Sequence, residues 1–129
     1  MPILIPTKNL QNQCDPFRCN PWRHWIKLTR RDVRTAIQTQ QFIDHPQEYQ
    51  GSHCDDICRI AYLVVHGWQD AIQIDVGIPA LRCYVDWPVL DGNHRLAAAI
   101  YRRDPTILAS VSGSIPYAYE LFGVDVSEG

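Results

Sequence analysis

Val89-Leu90-Asp91-Gly92-Asn93-His94-Arg95-Leu96-Ala97-Ala98-Ala99-Ile100 is the stretch that decides how this chain folds. A short apolar run ends in Asp-Gly, a turn signal. A polar triplet follows, and then an Ala-rich segment of strong helix formers. The pattern predicts strand, tight turn and helix, with Asp91, Asn93, His94 and Arg95 crowded at the junction. The first amides of such a helix lack intrahelical partners and carry the positive end of its dipole, so a phosphate or other anion fits there. Arg95 adds a planar, permanently charged fork, and His94 a titratable donor or acceptor. Gly92 lets the backbone come close to a ligand. The simpler alternative is that Asp91 or Asn93 caps the helix and Arg95 is solvated. Four such side chains in one turn favour a site over a plain cap.

The matching residues Asp91, Gly92, Asn93, His94, Arg95, Leu96, Ala97, Ala98 and Ala99 resemble the signature of the ParB/sulfiredoxin-like superfamily. Its members carry a Gly-x-His-Arg or Gly-x-Arg-Arg turn before an Ala-rich helix. The Asp-Gly-x-His-Arg form is closest to that of free-serine kinases and of phage and plasmid ParB-like proteins. With its flanks the resemblance runs from about Ile57 to Ser112. It implies a turn that holds nucleotide phosphates, and a function as kinase or NTPase using a nucleoside triphosphate (ATP or CTP) with Mg²⁺. Gly92, Asn93, His94 and Arg95 would then bind the nucleotide. Asp91 and His94 would be catalytic, with Asp91 holding Mg²⁺ or acting as a base. The chain departs from the pattern of that superfamily in three ways. No early Glu equivalent to that of free-serine kinases stands before Asp32. Asn93 occupies the place of the sulfiredoxin cysteine. The helix-turn-helix and dimerisation domains of partition proteins have no counterpart in these 129 residues.

Working outward, Ala71 to Val76 alternates Ile72, Ile74 and Val76 with polar residues, as a half-buried strand does. Leu81, Cys83 and Val85 alternate again and predict a second strand with Cys83 in the core. Asp86-Trp87-Pro88 then reads as a hairpin turn into Val89. Past the central helix, Arg103-Asp104-Pro105 is a stop. Thr106 to Val111 is a strand, and Pro116 suits a first-turn position of a closing helix through Phe122. The tail from Gly123 to Gly129 reads as frayed. Upstream, Ser52-x-x-Asp55 opens a helix whose face is Ile57, Ile60, Ala61 and Val64, with Gly67 as its stop. His53 and His66 flank it as ordinary surface or core histidines. Thr29-x-x-Asp32 resembles a capping box and opens a helix from about Arg30 to Gln41. Arg30, Arg31 and Arg34 in its first turns read as a solvated face. Trp25 to Leu28 is short enough for a strand. Residues 1–25, broken by Pro2, Pro6, Pro16 and Pro21, read as an irregular arm. Its Phe17, Trp22 and Trp25 are expected to lie over the domain. The expected architecture is a single α/β (α+β) domain across 1–129, a mixed, partly antiparallel sheet with packed helices.

Composition narrows the partners. Hydrophobic residues make up 46% and charged residues 20%, ordinary for a folded domain. No apolar run approaches the ~20 residues of a membrane span, and the opening lacks the pattern of a signal peptide. A cytoplasmic protein is the expectation. A net charge of −2 does not favour a nucleic-acid binder, although Arg30-Arg31 and Arg102-Arg103 form two basic pairs. The cysteines number five, and in a reducing compartment they are thiols or metal ligands. Cys14, Cys19, Cys54 and Cys58 form two spaced pairs that could converge on a structural zinc, with His24 or His53 as substitutes. The competing functional class is a non-enzymatic phage- or plasmid-type module that blocks a host protein through its aromatic arm. A ParB-like nuclease, the third reading, would need an acidic cluster, for which Asp55, Asp56 and Asp91 are the candidates.

Overall fold

The computed structural model describes residues 2–124; the last five residues of the tail read as frayed lie outside that range. The sequence's central assignment stands: β3 (Val89–Asp91) turns at Gly92 into α5 (Asn93–Arg102). A mixed sheet in the order β1-β4-β2-β3 carries it, built from β1 (Pro2–Pro6), β2 (Ile72–Asp75), β3 and β4 (Thr106–Ser112). β1 and β4 pair antiparallel, β2 and β4 parallel, and β2 and β3 antiparallel. Helices α1 (Thr7–Cys14), α2 (Pro16–Cys19), α3 (Arg30–Gln38), α4 (His53–His66) and α6 (Ile115–Phe122) complete the α/β domain with α5. Among the described residues, no helix is long and apolar enough to cross a membrane.

The core lies where α4 and α5 meet the sheet. Leu96, Ala97, Ala98 and Ala99 are fully buried, as are Ile60, Ala61 and Ile72. Small alanines let the two helices approach closely, so α5 is held along its length and its first turn is fixed in place. α4 starts and stops where the sequence placed it. Ser52 accepts from the Asp55 amide at 3.0 Å, and the Gly67 amide donates to Leu63 O at 2.8 Å. The reciprocal half of that box is absent: Asp55 Oδ2 instead accepts from the Gln50 amide at 2.8 Å. At α3 the box is complete, with Thr29 and Asp32 exchanging bonds of 3.0 and 3.1 Å.

Four expectations fail. Residues 2–19, read as part of an irregular arm, form β1, α1 and α2, and 20–25 of the arm stay outside helix and strand. β1 sits at the sheet edge, where proline is tolerated because one side of the strand needs no ladder partner. Pro16 opens α2, where its missing N–H costs nothing. Trp25 to Leu28 forms no strand, and Trp25 is fully exposed rather than buried, although Phe17 is buried and Trp22 is partly so. The second predicted strand, around Leu81 to Val85, is also absent. Pro79 starts a short 3-10 turn to Leu81, and Arg82 takes a left-handed φ of 58°. Only an isolated bridge between Ile78 and Cys83 remains, so Asp86-Trp87-Pro88 ends a long connection rather than a hairpin. Alternation there has no sheet to face, and Cys83 and Tyr84 are exposed, which removes Cys83 from the core. Finally, α3 ends at Gln38 rather than near Gln41.

Candidate functional site

Gly92 is the N-cap of α5, and no side chain caps the helix. Neither Asp91 nor Asn93 takes that role. Asn93 Oδ1 accepts from Trp87 Nε1 at 2.8 Å, and Asp91 Oδ2 accepts from Arg95 Nη2 at 3.3 Å. The φ of Gly92 is +119°, and a Cβ there would stand 2.4 Å from Ile72 Cγ2. Glycine is therefore required first by the packing of the turn on β2.

A cleft of about 430 Å³ opens beside this turn, and Asp91, Gly92, His94 and Arg95 line it. Tyr49, Arg59, Trp68 and Asp70 form much of its remaining wall. Arg95 is not simply solvated. Its Nη1 donates to Asp70 O at 3.1 Å and to Ala71 O at 3.3 Å. Arg59 is held the same way, donating from Nη1 to Ile43 O and Asp44 O at 3.2 Å each. A guanidinium has five donors, so both side chains are anchored with donors to spare. The cleft thus combines two fixed cations, an uncapped helix start, and aromatic faces in Trp68 and Tyr49. Asp70 and Asp91 supply carboxylates at its edge; Asp91 is 75% exposed.

Behind the cleft lies a hub whose convergence the sequence did not announce, although Asp56 stood there in an acidic trio and His24 as a substitute zinc ligand. Asp56, on α4, is fully buried. Its Oδ1 accepts from His94 Nε2 at 2.7 Å and from the Tyr49 hydroxyl, and its Oδ2 accepts from His24 Nε2. Burial pushes the Asp56 carboxyl toward the neutral form, but the bonds from His94, Tyr49 and His24 outweigh it and hold the pKa below the usual 3.8. Burial first, and then the bond to Asp56, raise the Tyr49 hydroxyl. With Nε2 committed to Asp56, His94 has Nδ1 as its remaining polar atom; its ring also stacks on Trp22 at 5.2 Å. A buried carboxylate that orients an imidazole is an arrangement suited to proton transfer or to holding an anion.

The chain contained one sign of this hub. Asp56 lies four and seven residues before Ile60 and Leu63, on the apolar stripe of α4, where an unpaired charge would be costly. Its partners His24 and Tyr49 carry no local pattern. The acidic trio Asp55, Asp56 and Asp91 is split by the fold: Asp55 caps a loop, Asp56 is buried, and Asp91 is exposed. Cys54 and Cys58 stand 3.9 Å apart, Sγ to Sγ, near the edge length of a tetrahedron with Zn–S bonds of ~2.3 Å. Among the described residues, no three His, Cys, Asp or Glu side chains are grouped to hold a metal ion, so Cys14 and Cys19 are not joined to that pair. Burial raises the Cys14 thiol to about 12 and the Cys58 thiol to about 11.

A scan of protein-family models and searches of curated proteins and of solved structures return no match to this chain.

Proposed function

We propose that this chain binds a nucleotide, or a related phosphate ester, in the cleft at the start of α5, and that it acts in phosphoryl transfer or NTP hydrolysis. One observation carries the reading. The uncapped start of α5 and the anchored guanidiniums of Arg95 and Arg59 face one cleft that also holds aromatic walls. Helix amides and Arg forks suit phosphate oxygens; Trp68 and Tyr49 suit a base. The likeness of Asp91–Ala99 to the ParB/sulfiredoxin-like turn supports the same assignment. Asp91 and Asp70 would share Mg²⁺ with the phosphates, the usual arrangement for this ion, which needs only one or two protein carboxylates. His94, oriented by Asp56, would hold a phosphate oxygen or accept a proton at Nδ1. Phosphoryl transfer rests mainly on such positioning and charge neutralisation.

The test is calorimetric titration with ATP, CTP and pyrophosphate, with and without Mg²⁺. Arg95→Ala is expected to weaken binding about ten- to a hundredfold, the range for hydrogen bonds to charged groups. Arg95→Lys should recover only part of that. A folded wild-type protein that binds none of these ligands ends the reading.

A second reading has its own observation. Trp25 and Ile26 are adjacent and strongly exposed, at 104% and 71%. Such a pair on the arm fits the inhibitor-type module that docks on a host protein. In that case Trp25→Ala would abolish capture of the partner while leaving nucleotide binding intact.

A further inference from the structure

The fold brings the chain's two basic pairs together. Arg30 of Arg30-Arg31 and Arg103 of Arg102-Arg103 are 73 residues apart in sequence, yet both line a second cavity of about 680 Å³. Lys8 and Gln11 of α1 line it as well. It sits by Ile100 and Arg103 at the far end of α5, roughly 15 Å along that helix from the first cleft at 1.5 Å per residue.

Three independent features of this cavity ask for an anion. Among the described residues, Lys8, Arg30 and Arg103 form no ion pair, although like charges that converge without a counter-charge repel one another. Arg30 is placed at the first position of α3, where the helix dipole opposes it, and its guanidinium rests on the Phe17 ring at 5.6 Å. The second feature is the start of α1. Pro6 offers no side-chain cap, the first turn holds no acidic residue, and the Thr7 amide is used by Pro105 O at 3.0 Å. The Lys8 and Asn9 amides lie within that same unpartnered first turn. The third is Thr7 itself, which lines the cavity, is only 4% exposed, and has a hydroxyl with no hydrogen-bond partner. A buried, unpaired hydroxyl calls for an explanation, and an ion is one.

The groups of opposite sign nearby are accounted for. Asp104 also lines the cavity, but its Oδ1 is 3.3 Å from Arg102 Nε. Of the last four carbonyls of α5, those of Ala99 and Ile100 accept from the Asp104 and Arg103 amides, and among the lining side chains Lys8, Arg30 and Arg103 outnumber Asp104. The cavity is therefore positive in balance.

We infer that the cavity bounded by Thr7, Lys8, Arg30 and Arg103 is a second anion site, built for a phosphate-class oxyanion and separate from the cleft at Gly92–Arg95. A tetrahedral oxyanion would take the Arg30 and Arg103 forks, the Lys8 ammonium and the free amides of α1. Thr7 would complete the shell by turning its Oγ1, buried as it stands, to another staggered χ1 rotamer that faces the cavity.

Titration of ¹⁵N-labelled protein with inorganic phosphate, followed by amide NMR at constant ionic strength, tests this. The Lys8 and Asn9 amides are expected to shift along a saturating curve that sodium chloride does not reproduce. Lys8→Gln and Arg103→Gln, both at solvent-facing positions, should each weaken that curve at least fivefold, the order expected for one charge-assisted contact. Thr7→Val should weaken it too without lowering the melting temperature, since it removes an unpaired buried hydroxyl. Arg95→Ala should leave the curve unchanged, so the outcome is independent of the first cleft. The inference is overturned if phosphate shifts these amides no more than chloride does. It is equally overturned if the curve survives in the Lys8→Gln/Arg103→Gln double variant.

Discussion

Asp56→Ala is the perturbation that tests most directly how the site is held. The carboxylate is fully buried and accepts from His94, His24 and Tyr49. Removing it leaves three donors without their partner, each costing about 1–3 kcal/mol when buried. His24 and His94 retain 14% and 24% of their side-chain exposure, so water can recover part of that loss. The low end, about 1 kcal/mol per donor, is then appropriate, giving a loss of about 3 kcal/mol, at the lower edge for breaking a buried charged pair. At roughly 4 °C per kcal/mol for a chain of this size, the melting temperature should fall by about 12 °C. Thermal unfolding by circular dichroism at neutral pH reads this. The carboxyl is held below its usual value of 3.8 in the folded state. Its stabilisation is therefore present above that pH and lost as pH falls through the lowered value. Asp56→Asn, which keeps one acceptor, should lose less at pH 7, and its deficit relative to wild type should shrink below pH 3.8. A melting temperature for Asp56→Ala within about 3 °C of wild type refutes the reasoning, since that is under 1 kcal/mol by the same conversion. So does an Asp56→Asn deficit that does not change between pH 7 and the acid limb.

Gly92→Ala should destabilise the fold by more than about 1–3 kcal/mol, the range for an unfavourable backbone conformation alone, because its Cβ would also meet Ile72 at 2.4 Å; urea unfolding measures it. Arg95→Ala should cost about 1 kcal/mol of stability as well as ligand affinity, since its bonds to Asp70 O and Ala71 O are lost. With a thiol-reactive dye at neutral pH, exposed Cys19, Cys54 and Cys83 should label quickly, while Cys14 and Cys58, with thiols raised to about 12 and 11, lag far behind. Brief trypsin treatment should cut first at Lys27, exposed outside any helix or strand beside Trp25 and Ile26, and spare Arg18 within α2; early cleavage at Arg18 would mean the arm is not docked.

The sequence by itself determined what depends on neighbours a few residues apart. The Asp-Gly turn into an Ala-rich helix, the Ser52 and Thr29 caps, the Gly67 stop, the Pro116 helix start and the strands at 72–75 and 106–112 all follow from local backbone preference and periodicity. The candidate site was legible to the extent that it lies within one turn: Asp91, Gly92, His94 and Arg95 do border one cleft. Tertiary structure alone decided the rest. β1 becomes a strand because β4 pairs with it, and the flanking Pro2 and Pro6 mask the strand-forming Ile3-Leu4-Ile5 between them. The alternation at Leu81–Val85 fails to become a strand because the 3-10 turn at Pro79–Leu81 and the left-handed Arg82 break its extended backbone, leaving only the Ile78–Cys83 bridge. Asp56, His24 and Tyr49 join His94 through contacts spanning 7 to 38 residues, and Arg30 meets Arg103 across 73. Burial turns one of two adjacent aspartates into the hub of the site and leaves the other as a loop cap. The charge is the same at both positions, and only the dielectric surroundings and the available donors separate them.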